Sequence, residues 1–130
     1  MQITTFLMFQ KNDAEEAMNT YMALFPDSRV LSIERYGPAE AGKEGTVKLA
    51  TFELNGTPVK CIDSPVEHAF TFTPSMSLFI DCDDAAQVDH LAAQLGEGGQ
   101  ALMPPGEYGF STRFAWVQDR FGVSWQLSVA

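Results

Sequence analysis

Apolar and polar positions change period several times along the chain, and each change marks an element. Ile3–Phe9 is an apolar run of strand length. Ala14, Ala17, Met18, Tyr21, Leu24 and Phe25 then recur at helical spacing. They predict a helix capped by Asp13, with Glu16 at the capping-box position, that stops at Phe25-Pro26-Asp27 because proline cannot continue it. Val30–Tyr36 alternates as a strand, and Gly37–Gly45, with Pro38 and Gly42, reads as a mobile loop. Thr46–Leu54 and Thr57–Asp63 flank Asn55-Gly56, a pair that tolerates the positive φ angles of a tight hairpin turn.

The same order then returns. Ser64–Pro74 has no clear period and reads as a crossing segment. Met76–Cys82 predicts a strand, and Asp84 caps a second helix with Gln87 at the capping-box position. Ala85, Val88, Leu91, Ala92 and Leu95 form its apolar stripe, and Gly96, Gly98 and Gly99 end it. Gln100–Met103 is a short strand, Pro104–Ser111 a loop, and Arg113–Gln118 with Val123–Val129 a last hairpin around Asp119-Arg120-Phe121-Gly122. The two cap residues, Asp13 and Asp84, lie 71 positions apart, and the hairpin glycines Gly56 and Gly122 lie 66 apart. Nearly equal offsets support an internal duplication of a βαβββ unit. The competing reading of the order alone is a ferredoxin-like α+β domain with extra strands.

Composition narrows the class. The chain has 130 residues, 45% hydrophobic and 19% charged, which suits one folded domain rather than disorder. The formal net charge of −9 disfavours nucleic acid, which needs a basic footprint, and is compatible with a cationic ligand. No apolar run reaches the ~20 residues of a membrane span, and the N-terminus lacks a signal-peptide pattern. A cytoplasmic protein with two free thiols, Cys61 and Cys82, is expected.

Three stretches carry a family resemblance: Asp13-Ala14-Glu15-Glu16-Ala17 through Phe25-Pro26-Asp27-Ser28, Ile62-Asp63-Ser64 with His68 to Pro74, and Phe114 to Leu127. In these the chain resembles the PhnB-like branch of the vicinal-oxygen-chelate superfamily, often labelled 3-demethylubiquinone-9 3-methyltransferase. The resemblance implies two βαβββ modules (about 1–63 and 75–130, linker 64–74) forming a cupped mixed sheet with helices on the outer face. It also implies a homodimer. The methyltransferase label sits poorly with the residues. A common methyl-transfer fold needs a parallel sheet and a glycine-rich turn opening a helix, whereas Gly96-Glu97-Gly98-Gly99 follows one.

Hairpin counting locates candidate chemistry. Pairing Leu54 with Thr57 sets Ala50 opposite Cys61 and Lys48 opposite Asp63. A four-residue second loop sets Trp116 opposite Trp125, Ala115 opposite Gln126 and Arg113 opposite Ser128. By this count Cys61 and Gln126 fall where the superfamily's metal enzymes carry fourth-strand ligands, and the first-strand counterparts fall near Phe6 and Ser77. Phenylalanine cannot ligate and serine is a poor ligand, so no complete metal site and no cofactor are expected. Asp63 is either a carboxylate, tuned by Lys48, that binds or deprotonates a substrate, or a cross-strand salt bridge or a cap for the following turn. His68 is either an acid–base group or a turn residue. Arg113 and Gln126 could hold an oxyanion or carbonyl, and Phe70, Phe72, Phe110 and Tyr108 could wall an apolar pocket or a dimer interface. Trp116 and Trp125 are assigned to the helix side as core. Cys61 is read as buried and inert, with Lys60 pointing to the opposite face. Two functions follow: a protein that binds a small molecule in the groove without metal chemistry, or an enzyme acting on a small carbonyl or oxygenated substrate.

Overall fold

A computed structural model describes all residues, Met1–Ala130. It divides into two compact units, Met1–Ala69 and Phe70–Ala130. The first contains β1 (Thr5–Phe9), α1 (Ala14–Leu24), β2 (Arg29–Arg35), β3 (Val47–Leu54) and β4 (Thr57–Asp63). The second contains β5 (Leu78–Asp81), α2 (Ala85–Gly96), β6 (Gln100–Gly106), β7 (Arg113–Gln118) and β8 (Ser124–Val129). Each module is therefore βαβββ, and each forms a four-stranded mixed sheet, ordered β1-β4-β3-β2 and β5-β8-β7-β6. In each, the first strand runs parallel to the last and the other pairings are antiparallel. The duplication read from the cap and hairpin offsets is thus present in the topology.

Each helix covers one face of its own sheet. In the first module α1 packs on β3 and β4, and Phe52, Val59, Cys61, Met18 and Tyr21 are almost fully buried between them. In the second, α2 packs on β6, β7 and β8, burying Val88, Leu91, Leu95, Ala115, Trp125 and Leu127. Strand side chains alternate between faces. Phe6, Lys60 and Thr51 therefore lie on the helix-free face of the first sheet, and Phe79, Gln126 and Trp116 on that of the second.

Local chemistry explains most boundaries. Asn55 and Gly56 both have positive φ, 51° and 80°, as the two-residue turn requires. Asp84 caps α2, its carboxylate accepting the Gln87 N–H at 2.8 Å, while the Gln87 side chain accepts the Asp83 N–H at 2.8 Å. This is a capping box displaced by one residue. Asp13 makes no side-chain bond to α1. The first N–H of that helix, from Ala14, instead goes to the Asp63 carboxylate at 2.9 Å. The cap for α1 thus comes from the end of β4, far away in sequence.

Two register expectations need correction. The second hairpin pairs Gln118 with Ser124, leaving five residues in the loop and setting Trp116 opposite Gln126, Val117 opposite Trp125 and Ala115 opposite Leu127. Trp116 and Trp125 therefore point to opposite faces, and only Trp125 is core. The extra loop residue is accommodated by Asp119, whose carboxylate accepts the N–H groups of Phe121 and Val123, with Gly122 at φ 98°. In the first module the β3–β4 pairing ends at Ala50–Cys61. On its other side β3 pairs Leu49 with Glu34 and Val47 with Arg35, so Lys48 is the extra residue of a bulge. Counting back through it fails.

Candidate functional site

Asp63 is 2% exposed and lies on the helix side of its sheet. Its Oδ1 accepts the Ala14 N–H at 2.9 Å, its Oδ2 accepts the Val47 N–H at 2.8 Å, and its backbone carbonyl accepts the Tyr36 hydroxyl at 2.9 Å. One carboxylate thus joins the start of α1, the start of β3 and the end of β4. The expected Lys48–Asp63 pair is not formed: Lys48 is exposed, and its ammonium is paired with Glu40 of the preceding loop. Nearby Asp13 has its carboxyl pushed up, first by burial, with the Asp63 charge adding to the shift.

Cys61 is fully buried one position before Ile62, on the same helix-facing side as Asp63. It therefore does not occupy a ligand position on the helix-free face. Burial, and then the neighbouring Asp63 charge, push its thiol from 9.0 up to about 12. The folded chain keeps this proton where the unfolded chain releases it, so its contribution to stability is full below pH 9.0 and is lost towards about pH 12. At pH 8 a water-soluble alkylating reagent is expected to label half-buried Cys82 in the native protein and Cys61 only after unfolding. Peptide mass analysis after brief labelling checks this, and equal native labelling of both thiols would contradict the placement.

The remaining expected site residues disperse. Arg113 lies on the helix side with Ala115 and Val117, and its Nε donates to Asp89 of α2 at 2.8 Å. The one-residue register slip accounts for this. His68 is half-buried, and its backbone N–H donates to the Gln10 side chain at 2.6 Å. Phe70 is 61% exposed, whereas Phe72 packs over the hairpin at Gly122. Tyr108 and Phe110 stack at 6.3 Å between ring centres, and both rest edge-on against buried Phe114.

What the structure does bring together is a row on the helix-free face of the second module. Gln126 is flanked by Phe79 on β5 and by Trp116 on β7. Adjacent strands lie about 4.8 Å apart, so two aromatic side chains stand on either side of one amide. The row is fixed by a hydrogen-bond chain. The Trp116 indole donates to Ser124 Oγ at 2.8 Å, Ser124 and Ser77 share a bond of 2.7 Å, and the Gln126 amide donates to Ser77 at 3.2 Å. Ser77 donates on to the Pro74 carbonyl at 3.5 Å. Phe79 is 53% exposed, and Trp116 and Gln126 are half-buried.

The equivalent row of the first module follows from register. Cys61 pairs with Leu7 and Ala50 as Leu127 pairs with Ile80 and Ala115. Lys60, between Phe6 and Thr51, is therefore the counterpart of Gln126. First- and fourth-strand positions of the two rows are Phe6, Lys60, Phe79 and Gln126. Of these only the glutamine can ligate a divalent ion, so the donor set does not fit the superfamily's metal centre. No group of three or more His, Cys, Asp or Glu side chains is placed to hold a metal elsewhere. Lys60 was missed from the sequence because the face assignment of β4 was inverted by one residue.

The topology and the two helix-free rows define a protein of the vicinal-oxygen-chelate fold. The fold recurs in the fosfomycin resistance protein FosX of Mesorhizobium loti, at 16% identity and TM-score 0.63, over 98% of this chain and 90% of that one. It recurs more closely in PA1353 of Pseudomonas aeruginosa, at 23% identity and TM-score 0.86, over 99% and 97% of the two chains. A model of the 3-demethylubiquinone-9 3-methyltransferase family matches residues 1–128, and the chain belongs to that family, the PhnB-like branch of the superfamily. The PhnB protein of Bacillus cereus, which carries the same methyltransferase label, shares 52% identity with a TM-score of 0.95 over the full length of both chains. No curated protein matches the chain.

Proposed function

We propose that this chain is a small-molecule-binding protein of the vicinal-oxygen-chelate type, and that a planar ligand lies on the helix-free face of the second module. The Phe79–Gln126–Trp116 row carries this reading. Two partly exposed rings offer stacking area, and the amide between them is held in orientation by Ser77. That combination of apolar walls with one fixed polar group is how small-ligand sites gain both affinity and orientation. Asp63, read as a catalytic candidate together with His68, is engaged with two backbone N–H groups, and Arg113, read as an anion-binding group, is engaged with Asp89 of α2, which favours binding over turnover. Methyl transfer finds little support in the fold. Both sheets are built mainly from antiparallel pairs, and the Gly96–Gly99 segment closes α2 rather than opening a helix over a cofactor.

The two tryptophans provide the test, because Trp125 is fully buried and Trp116 is not. In isotope-labelled protein, titration with 2-naphthamide is expected to move the Trp116 indole N–H resonance saturably and leave that of Trp125 in place. Trp116→Ala and Gln126→Leu are each expected to weaken binding by about tenfold, the value of one stacking contact or one hydrogen bond. Saturable binding that leaves the Trp116 signal unmoved would remove the row from the site, and no binding at all would sink the reading.

A further inference from the structure

The first module carries a different row, and its charge is unusual. Lys60 sits on β4, an interior strand, in the middle of the helix-free face. Its cross-strand neighbours on that face are Phe6, 51% exposed, and Thr51. Half-buried Met8 and Ile62 continue the face along β1 and β4. The surroundings of the ammonium are therefore largely apolar.

In a chain with 17 acidic and 8 basic side chains, a cation at such a position would be expected to hold a carboxylate. The other three cations on the strands of this module do: Arg29 pairs with Glu53, Arg35 with Glu15 and Lys48 with Glu40. Lys60 is in none of the ion pairs. The acid on its face that could reach it diagonally is Glu53, and Glu53 is drawn the other way, to Arg29 across β3 and β2 at 2.8 Å. The face thus presents one uncommitted ammonium beside an exposed ring.

We propose that Lys60 and Phe6 form a subsite for the anionic end of an apolar acid, specifically the carboxylate of an aromatic acid. The ammonium takes the carboxylate and the Phe6 ring takes the aromatic body. This goes beyond the neutral planar ligand assigned to the second module, because it places an anion in a protein whose net charge is −9. The two are compatible. Charges more than about 8 Å away are largely screened at physiological salt, whereas a direct ammonium–carboxylate contact is not. Net charge would slow the approach of an anion, and the local pair would hold it.

Calorimetric titration compares three ligands with one ring system: 2-naphthoate, 2-naphthamide and 2-naphthylmethylammonium. The expected order places 2-naphthoate ahead of the ammonium compound. Lys60→Met is expected to weaken 2-naphthoate by about tenfold or more and leave 2-naphthamide unchanged. Lys60→Arg keeps the charge and is expected to keep most of the naphthoate affinity. Phe6→Ala is expected to weaken the acid through the lost ring contact. Since Lys60 and Phe6 are exposed, these variants should fold, and a thermal melting midpoint close to that of the wild type verifies that they do. Naphthoate binding that is absent, or equal in the wild type and Lys60→Met, overturns the subsite. Gln126→Leu acting on the amide but not on the acid separates this result from the fate of the second-module row.

Discussion

Asp63→Ala is expected to cost about 3–5 kcal/mol, the largest effect of any single polar substitution in the first module. The carboxylate is 2% exposed and accepts two backbone N–H groups, from Ala14 and Val47, which alanine would leave buried without partners. Each such bond to a charged group is worth about 1.5–3 kcal/mol, and part of the loss is recovered when water enters the gap. The first turn of α1 loses its only side-chain cap, since Asp13 supplies none. The edge of β3 that Val47 anchors loosens with it, and Tyr36, bonded to the Asp63 carbonyl, is disturbed as well. For a domain of this size the drop corresponds to a midpoint lower by roughly 10–20 °C. Asp63→Asn keeps one acceptor oxygen and faces the other N–H with an amide donor, so about half the loss is expected. Urea and thermal melts of the three proteins check the order. A variant as stable as the wild type that has lost ligand affinity would return Asp63 to the binding machinery.

The contrast between Asp63 and Lys60 shows where sequence reasoning reached and where it stopped. Element order was readable because its signals are local: the Asn55-Gly56 turn, the Asp84 cap and the helical stripe of Val88, Leu91 and Leu95 each depend on neighbours within one or two turns. The duplication was readable from the same markers. Which face each strand residue occupies is not a local property. In a strand of period two, a slip of one residue exchanges the faces entirely. Two such slips arose, from the Lys48 bulge and from the fifth residue of the loop after Gln118. The first broke the expected Lys48–Asp63 pairing; the second moved Arg113 and Trp116 to the wrong sides and, through the matching of Ala50/Cys61 with Ala115/Gln126, exchanged Cys61 with Lys60. The cap of α1 was missed for a related reason: Asp13 has the right residue type and position, but the bond is made by a carboxylate brought in by β4. A close reading of the Asp119-Arg120-Phe121-Gly122 stretch could have found the longer loop, because an aspartate two residues before a backbone N–H is an Asx-turn signal.

The same facts separate scaffold from site. The buried carboxylates Asp63 and Asp119 are spent on backbone and indole N–H groups, so they fix the hairpins and the helix start rather than meet a ligand. The side chains left facing outward from the two sheets are mostly apolar or neutral, with Lys60 as the exception in the first row and Gln126 as its neutral counterpart in the second. Two modules of one topology thus offer two different polar groups at equivalent positions.

Asp119→Ala is expected to damage the second module as severely as Asp63→Ala damages the first, but with a distinct signature. Asp119 is 5% exposed, and its Oδ1 accepts the N–H groups of Phe121 and Val123 at 2.9 and 3.0 Å while its Oδ2 accepts the Trp125 indole at 2.9 Å. Trp125 is fully buried, so the indole N–H cannot turn to water when its acceptor is removed. Three orphaned donors at about 1–3 kcal/mol each, partly relieved by relaxation of the loop, give an expected loss of about 3–5 kcal/mol. Asp119→Asn tests the geometry further. An amide can offer one oxygen, either to the loop N–H groups or to the indole, but not to both, so an intermediate loss is expected. The Trp125→Phe background removes the indole donor, and there the additional cost of Asp119→Asn should shrink by about 1–2 kcal/mol. Denaturant melts of the four proteins in this cycle supply the coupling. A coupling near zero would mean that the Asp119–Trp125 bond contributes nothing, and that Asp119 acts only through its bonds to the loop N–H groups of Phe121 and Val123.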